Sequence, residues 1–166
     1  ISSEGVFAVM IYLVMYLFMN LGAFFVLIYV AQIQGGENFE HFSGLGWRMP
    51  IVGIVMTIFM FSLTGLPPTV GFIGKFYLFV AVINAGSAFY WIAFFGAINT
   101  VVSLYFYMRV VKTMYLDGKP SEEIVVPPLS ITLILLVLAV PSVFFGIYWT
   151  PILNWVNDSL LFFVQI

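Results

Sequence analysis

The sequence predicts an all-α membrane protein with four transmembrane helices, the second broken at Gly65–Pro68, and a C-terminal interfacial segment. Three observations predict it. Of 166 residues, 63% are hydrophobic and 7% charged, where an ordinary soluble domain carries roughly 25% charged residues. So few charges cannot cover a water-facing surface, so the surroundings are lipid and other membrane protein. Apolar runs of the length needed to cross a bilayer, about 20 residues or more, alternate with short polar loops. One of those runs contains two adjacent prolines and a lone lysine, Lys75, the one formal charge between Arg48 and Arg109.

Composition also excludes several classes. The net charge of -2 is small, and no nucleic-acid partner is expected. The absence of cysteine excludes disulfides and Cys-ligated zinc or iron–sulfur centres within the chain. A single histidine cannot form a His cluster, so no metal site is expected. The chain opens at Ile1 without an initiator Met or a signal-peptide n-region, as a processed chain or a piece of a longer one would.

The uncharged stretch between Glu4 and Glu37 holds the first span, about residues 6–33, closed by Gln34-Gly35-Gly36. Residues 34–48 read as a polar loop with Glu37, Glu40, His41 and Arg48. The run 49–83 is too long for one straight span and too short for two spans with a loop between them. Its middle, Gly65-Leu66-Pro67-Pro68, resolves this. Gly65 suits a helix C′ position, the prolines cannot continue the helix, and residues before proline are pushed out of the helical region. Two half-helices follow, about 50–64 and 69–83, joined by unwound backbone at membrane depth. Such backbone survives only where protein buries it or water lines it. Gly65, Pro67, Pro68 and Gly71 are the residues assigned to the break.

A short turn at 84–87 leads to the third span, 89–115. A polar loop, 116–127, carries Asp117, Lys119, Glu122 and Glu123. The fourth span is 128–149, with Pro141 predicting a kink. The tail, 150–166, places Trp155, Asn157 and Asp158 beside Leu160, Leu161, Phe162 and Phe163, the mixture expected at an interface. With 49–83 crossing once, Arg48, Arg109, Lys112 and Lys119 fall on one side and no Lys or Arg on the other. The positive-inside rule then makes the charged side cytoplasmic and puts both termini outside. Trp47, Trp91, Trp149 and Trp155 fall near span ends, as an aromatic belt requires.

Lys75 is the candidate for chemistry. A lysine at mid-helix costs about 2.5–3.5 kcal/mol on insertion scales and faces a bundle interior or water. Burial disfavours the ammonium form, and so does the positive N-terminal end of the second half-helix. A lysine in that setting can accept and release protons. The competing reading is a structural lysine paired elsewhere or snorkelling to the surface. Two polar stripes accompany it. Tyr12, Tyr16 and Asn20 recur every four residues on the first span; Asn99, Ser103 and Tyr107 do so on the third. Each trio shares a helix face. The stripes line a hydrated path to Lys75 or make interhelical hydrogen bonds worth about 0.6 kcal/mol each. Arg109 near its span end is explained by snorkelling, and His41 by a solvated loop.

With these residues in place, "FSLTGLPPTVGFIGKFYLF" (Phe61–Phe79) resembles the broken helix of the antiporter-like membrane subunits of proton-pumping NADH:quinone oxidoreductase, respiratory complex I. "NTVVSLYFYMRVVKTMYL" (Asn99–Leu116), "YLVMYLFMNLGAFFVL" (Tyr12–Leu27) and "FSGLGWRMP" (Phe42–Pro50) resemble the flanking spans and loop. The resemblance implies that the chain corresponds to the last four spans of such a subunit, about a third of it. It implies proton translocation coupled to quinone reduction elsewhere in the complex, and it aligns Lys75 with the lysine of the second half-channel. It places no cofactor in this chain; flavin, iron–sulfur clusters and quinone belong to other subunits. The implied partners are other membrane subunits, the missing N-terminal part of the same subunit, and lipid, in a bacterial inner membrane. Related sodium/proton antiporters share the fold and stand as the alternative. A purely structural scaffold is the third reading.

Overall fold

The computed structural model describes residues 3–118 and 124–164. Lys119, Glu122 and Glu123, and the side chains of Leu161, Phe162 and Phe163, lie outside the described residues. Among the described residues the elements are helices, with no strand. Helix α1, Ser3–Gln34, has 32 residues, about 48 Å at 1.5 Å per residue. Its buried face carries Ala8, Ile11, Met15, Met19, Ala23, Val26 and Val30, spaced three and four apart. Its outer face, with Val9, Leu13, Leu17, Leu21, Phe24 and Ile28, is exposed and just as apolar. A helix of a soluble protein would be polar there.

The segment expected as a plain loop at 34–48 holds two single helical turns, α2 (Phe39–Phe42) and α3 (Leu45–Arg48). Together they meet the next helix at 117°, so they lie across the end of the bundle. The Trp47 indole donates to the Tyr115 carbonyl at 2.9 Å, and the two rings meet edge-on. The Val125 N–H donates to the Arg48 carbonyl at 2.8 Å. These bonds tie the charged end of the bundle together.

Helix α4 (Pro50–Thr64) and helix α5 (Val70–Asn84) run along α1 one after the other. The Phe59 ring lies over Gly22, where a Cβ would stand 2.1 Å from it. Ser62 touches Met19, Gly74 faces Tyr12 and Met15, and the Tyr77 ring meets Phe7. As the numbers rise along α4 and α5, their partners on α1 fall. The two half-helices are therefore one interrupted line antiparallel to α1, with the break near its middle.

A 3-10 turn, Ser87–Phe89, precedes helix α6, Tyr90–Tyr115. Helix α6 is long and apolar enough to cross a membrane, and its outer face is bare: Trp91, Phe94, Phe95, Val101 and Tyr105 are exposed. Helix α7, Leu129–Ile147, stays helical through Pro141, and the Ser142 hydroxyl bonds back to the Leu138 carbonyl at 3.0 Å. Helix α8, Thr150–Val164, buries Ile152 and Val156 against Ile11, Met15, Val70 and Ile73. It leaves Trp155 and Asp158 exposed.

Candidate functional site

The break between α4 and α5 is built from its backbone outward. Gly65 is left-handed, at φ 86° and ψ 41°, a conformation glycine adopts without a Cβ penalty. That turn lets the Leu66 N–H donate to the Phe61 carbonyl and the Gly65 N–H to the Ser62 carbonyl, each at 3.0 Å. This pair of bonds is a Schellman closure. It satisfies two of the four carbonyls that a helix C-terminus leaves open. The other two belong to Leu63 and Thr64. The Lys75 ammonium donates to both, at 3.1 Å and 2.8 Å. All four orphan carbonyls thus have partners at a depth where an unsatisfied one would cost several kcal/mol.

This corrects one expectation about Lys75. The sequence placed its charge beside the positive N-terminus of α5. The side chain instead runs back across Gly65, where a Cβ would meet Lys75 Cδ at 2.9 Å, and its tip sits on the negative C-terminal end of α4. The reason is geometric. Side chains on a helix lean toward its own N-terminus, so a long one five residues into α5 overreaches the break.

The connecting backbone is also covered. Pro67–Pro68 is a cis peptide bond. The Thr69 N–H and hydroxyl both donate to the Leu66 carbonyl, at 3.0 Å and 2.6 Å. Gly146 of α7 lies flat on the strand of chain between the half-helices: a Cβ there would stand 2.1 Å from the Pro68 carbonyl oxygen. Gly71 makes the closest approach. A Cβ on it would lie 1.7 Å from the Ser62 carbonyl oxygen.

A groove of about 460 Å³ opens between α1, α5 and α6, and Lys75 lines it. Around it stand Tyr12 and Tyr16 of α1 and Asn99, Ser103 and Tyr107 of α6. The structure therefore brings five of the six residues of the two stripes to one cavity with Lys75. Asn20, one turn beyond Tyr16, is half-buried and outside that lining. The Tyr12 and Tyr16 rings stack, with centroids 5.6 Å apart. The Ser103 hydroxyl donates to the Asn99 carbonyl at 2.7 Å. Thr100, which the four-residue spacing skipped, also lines the groove and donates to the Gly96 carbonyl at 3.0 Å. With their protons turned back onto the helix, both hydroxyls offer lone pairs rather than donors to the groove. Toward the α5 C-terminus the lining turns apolar, with Phe79, Val82 and Ile92.

Arg109 lies outside this lining, its guanidinium 4.7 Å from the centre of the Phe39 ring. The His41 ring packs on Gly36. Among the described residues, no three His, Asp or Glu side chains converge to hold a metal ion. Sequence reasoning missed Ser62, Thr100 and Gly146. Ser62 left one signal, its place in the last turn before a C′ glycine.

Residues 1–103 match the family described as NADH:quinone oxidoreductase/Mrp antiporter, TM. A curated relative, NADH-quinone oxidoreductase subunit N 2 of Sorangium cellulosum, is 49% identical over 165 residues, covering 96% of this chain and 32% of the relative. Subunit N of an Anaeromyxobacter species is 42% identical over 172 residues, with 98% and 33% covered. The chain thus spans about a third of the length of these relatives. Among solved structures, the membrane-bound sulfane sulfur reductase, an archaeal respiratory membrane complex, contains a chain that matches with a TM-score of 0.83 at 30% identity, over 95% of this chain and 32% of that one. A chain of respiratory complex I from Thermus thermophilus matches in fold, with a TM-score of 0.72 at 24% identity, over 89% and 34%. A family match over more than half the chain establishes that this multi-pass membrane protein belongs to the NADH:quinone oxidoreductase/Mrp antiporter family.

Proposed function

We propose that this chain is the C-terminal portion of a subunit N-type, proton-translocating membrane subunit of a bacterial NADH:quinone oxidoreductase, with Lys75 as its proton relay. The observation that carries the reading is the pair of bonds from Lys75 to the Leu63 and Thr64 carbonyls at the mouth of the hydroxyl-lined groove. An ammonium has three N–H donors. Two hold the α4 carbonyls and the third serves a water or a hydroxyl of the groove. A neutral amine keeps two N–H donors and gains a lone pair. The proton can leave by the third bond while the cap on α4 stays closed, and the lone pair takes up the next proton. Tyr12, Tyr16, Asn99, Ser103 and Tyr107 orient the water through which it moves.

In this reading α1, the α4–α5 line and α6 are three crossings, and α7, whose last turn packs on the break, makes the fourth together with α8. The end bearing Arg48, Arg109 and Lys112 is cytoplasmic. The exposed apolar faces meet lipid, the rest of the same subunit and neighbouring subunits. Flavin, iron–sulfur clusters and quinone reside in those other subunits. The family description also names Mrp antiporters, which supports a cation/proton antiporter as the second reading.

The test compares Lys75→Ala and Lys75→Arg in the intact complex, reading proton uptake per NADH oxidised in sealed vesicles. Arginine keeps the cation and the donors but does not deprotonate in proteins. The relay predicts that both variants lose pumping while the complex still assembles. Near-normal pumping by Lys75→Arg refutes the relay and leaves Lys75 as an inert structural cap.

A further inference from the structure

Ser62 sits in the last turn of α4 with none of its surface exposed. Its Oγ accepts the N–H of Gly71 at 3.2 Å, a bond that crosses the break from one half-helix to the other. The same hydroxyl points its proton at the thioether sulfur of Met19, 3.4 Å away on α1. One side chain therefore joins three elements. The Gly71 N–H would otherwise be one of the open donors of the α5 N-terminus, here facing protein interior rather than water. Gly71 admits this contact because it has no Cβ to strike the Ser62 carbonyl.

The consequence falls on Lys75. It lies four residues after Gly71, one turn along the same face of α5. The carbonyls that hold it, Leu63 and Thr64, follow Ser62 directly in the chain. The separation between the lysine and its two acceptors is therefore fixed at the Ser62–Gly71 contact. We propose that Ser62 is a positioning residue for Lys75: its bond to Gly71 sets the two half-helices at the distance that places the amine on the Leu63 and Thr64 carbonyls, with its third N–H directed to the groove. The proposal rests on the reading of Lys75 as a proton relay. When Ser62 is removed, the amine keeps its chemistry and loses its place.

The experiment uses Ser62→Ala, Ser62→Thr and Lys75→Arg in the intact complex. It reads the rate of NADH-driven proton uptake across a pH series, with thermal stability measured alongside. A misplacement of about 1 Å can cost on the order of 100-fold in rate. Ser62→Ala is expected to slow uptake by up to that factor and to shift the pH profile, because the environment of the amine changes. Ser62→Thr, which keeps the hydroxyl, restores the profile. A merely structural Ser62 would lower thermal stability and leave the profile where it was; that result overturns the proposal, as does a wild-type rate. If Ser62→Ala fails to assemble, Ser62→Cys, close in size and a weaker acceptor, carries the same measurement. Normal pumping by Lys75→Arg would refute the relay itself. A wild-type profile in Ser62→Ala beside a defective Lys75→Arg would refute the positioning role alone.

Discussion

Asp117, just past the end of α6, and Lys75, at the break, show how much depth changes the meaning of one charge. Lys112 donates to Asp117 Oδ1 at 2.9 Å, and the Thr113 hydroxyl donates to Oδ2 at 3.1 Å. The Lys112 hydrogen bond, foremost, holds the Asp117 carboxyl below the usual carboxylate range. A depressed carboxylate contributes stability that is present above its ordinary value of about 3.9 and lost as pH falls through the lower folded value. Asp117→Asn should therefore lower the unfolding temperature slightly at neutral pH, and the gap should close in acid. A gap that persists in acid would point to packing rather than charge. The pair is solvated, so its worth is small. Lys75 is legible in the sequence as a lone charge at membrane depth. Its acceptors are not, because backbone carbonyls occur at every residue and only the fold selects two of them. Ser62 is hidden for a related reason: a serine near a helix end is ordinary until its partner, nine residues on, is known.

For the elements, the long apolar stretches were readable because each spans many turns and ends in glycine, proline or charge. The expected first span, residues 6–33, became Ser3–Gln34, and the expected half-helices became Pro50–Thr64 and Val70–Asn84. The two four-residue turns α2 and α3 were not readable, since one turn carries no periodicity. Nor was the packing of α7 on the break, because a glycine deep in an apolar helix does not announce what lies against it. That packing makes a prediction. Gly146→Ala puts a methyl 2.1 Å from a backbone oxygen and should destabilise by about 1–3 kcal/mol as overpacking does. Gly96→Ala meets the edge of the Phe79 ring at 3.2 Å, a side chain that can yield, and should be nearly neutral. Thermal unfolding of the two variants decides between a tight seat for the break and a loose one.

Over the whole molecule, the stripes on α1 and α6 were legible as patterns, and their convergence on Lys75 was one of two readings between which the sequence could not decide. Spacing reports which residues share a face and says nothing of which way the face turns. The antiparallel run of α4 and α5 along α1 predicts the crossing count. Cysteines at His41 and Ser87 should label from opposite sides of the membrane, with His41 on the cytoplasmic side. Labelling of both from one side would mean that the chain turns back at the break, and the charge-side argument would fall with it.

The chain between the half-helices is also a ruler. Lys75 lies twelve positions after Leu63, and the Ser62–Gly71 bond starts one residue before that interval and ends within it. Surface loops drift in length as sequences diverge, because their ends have slack. Here there is none. One codon gained within the first turn of α5 would rotate everything after it by about 100°, carrying the amine off its carbonyls. Descendants of this gene can exchange letters across the break, but they inherit its count.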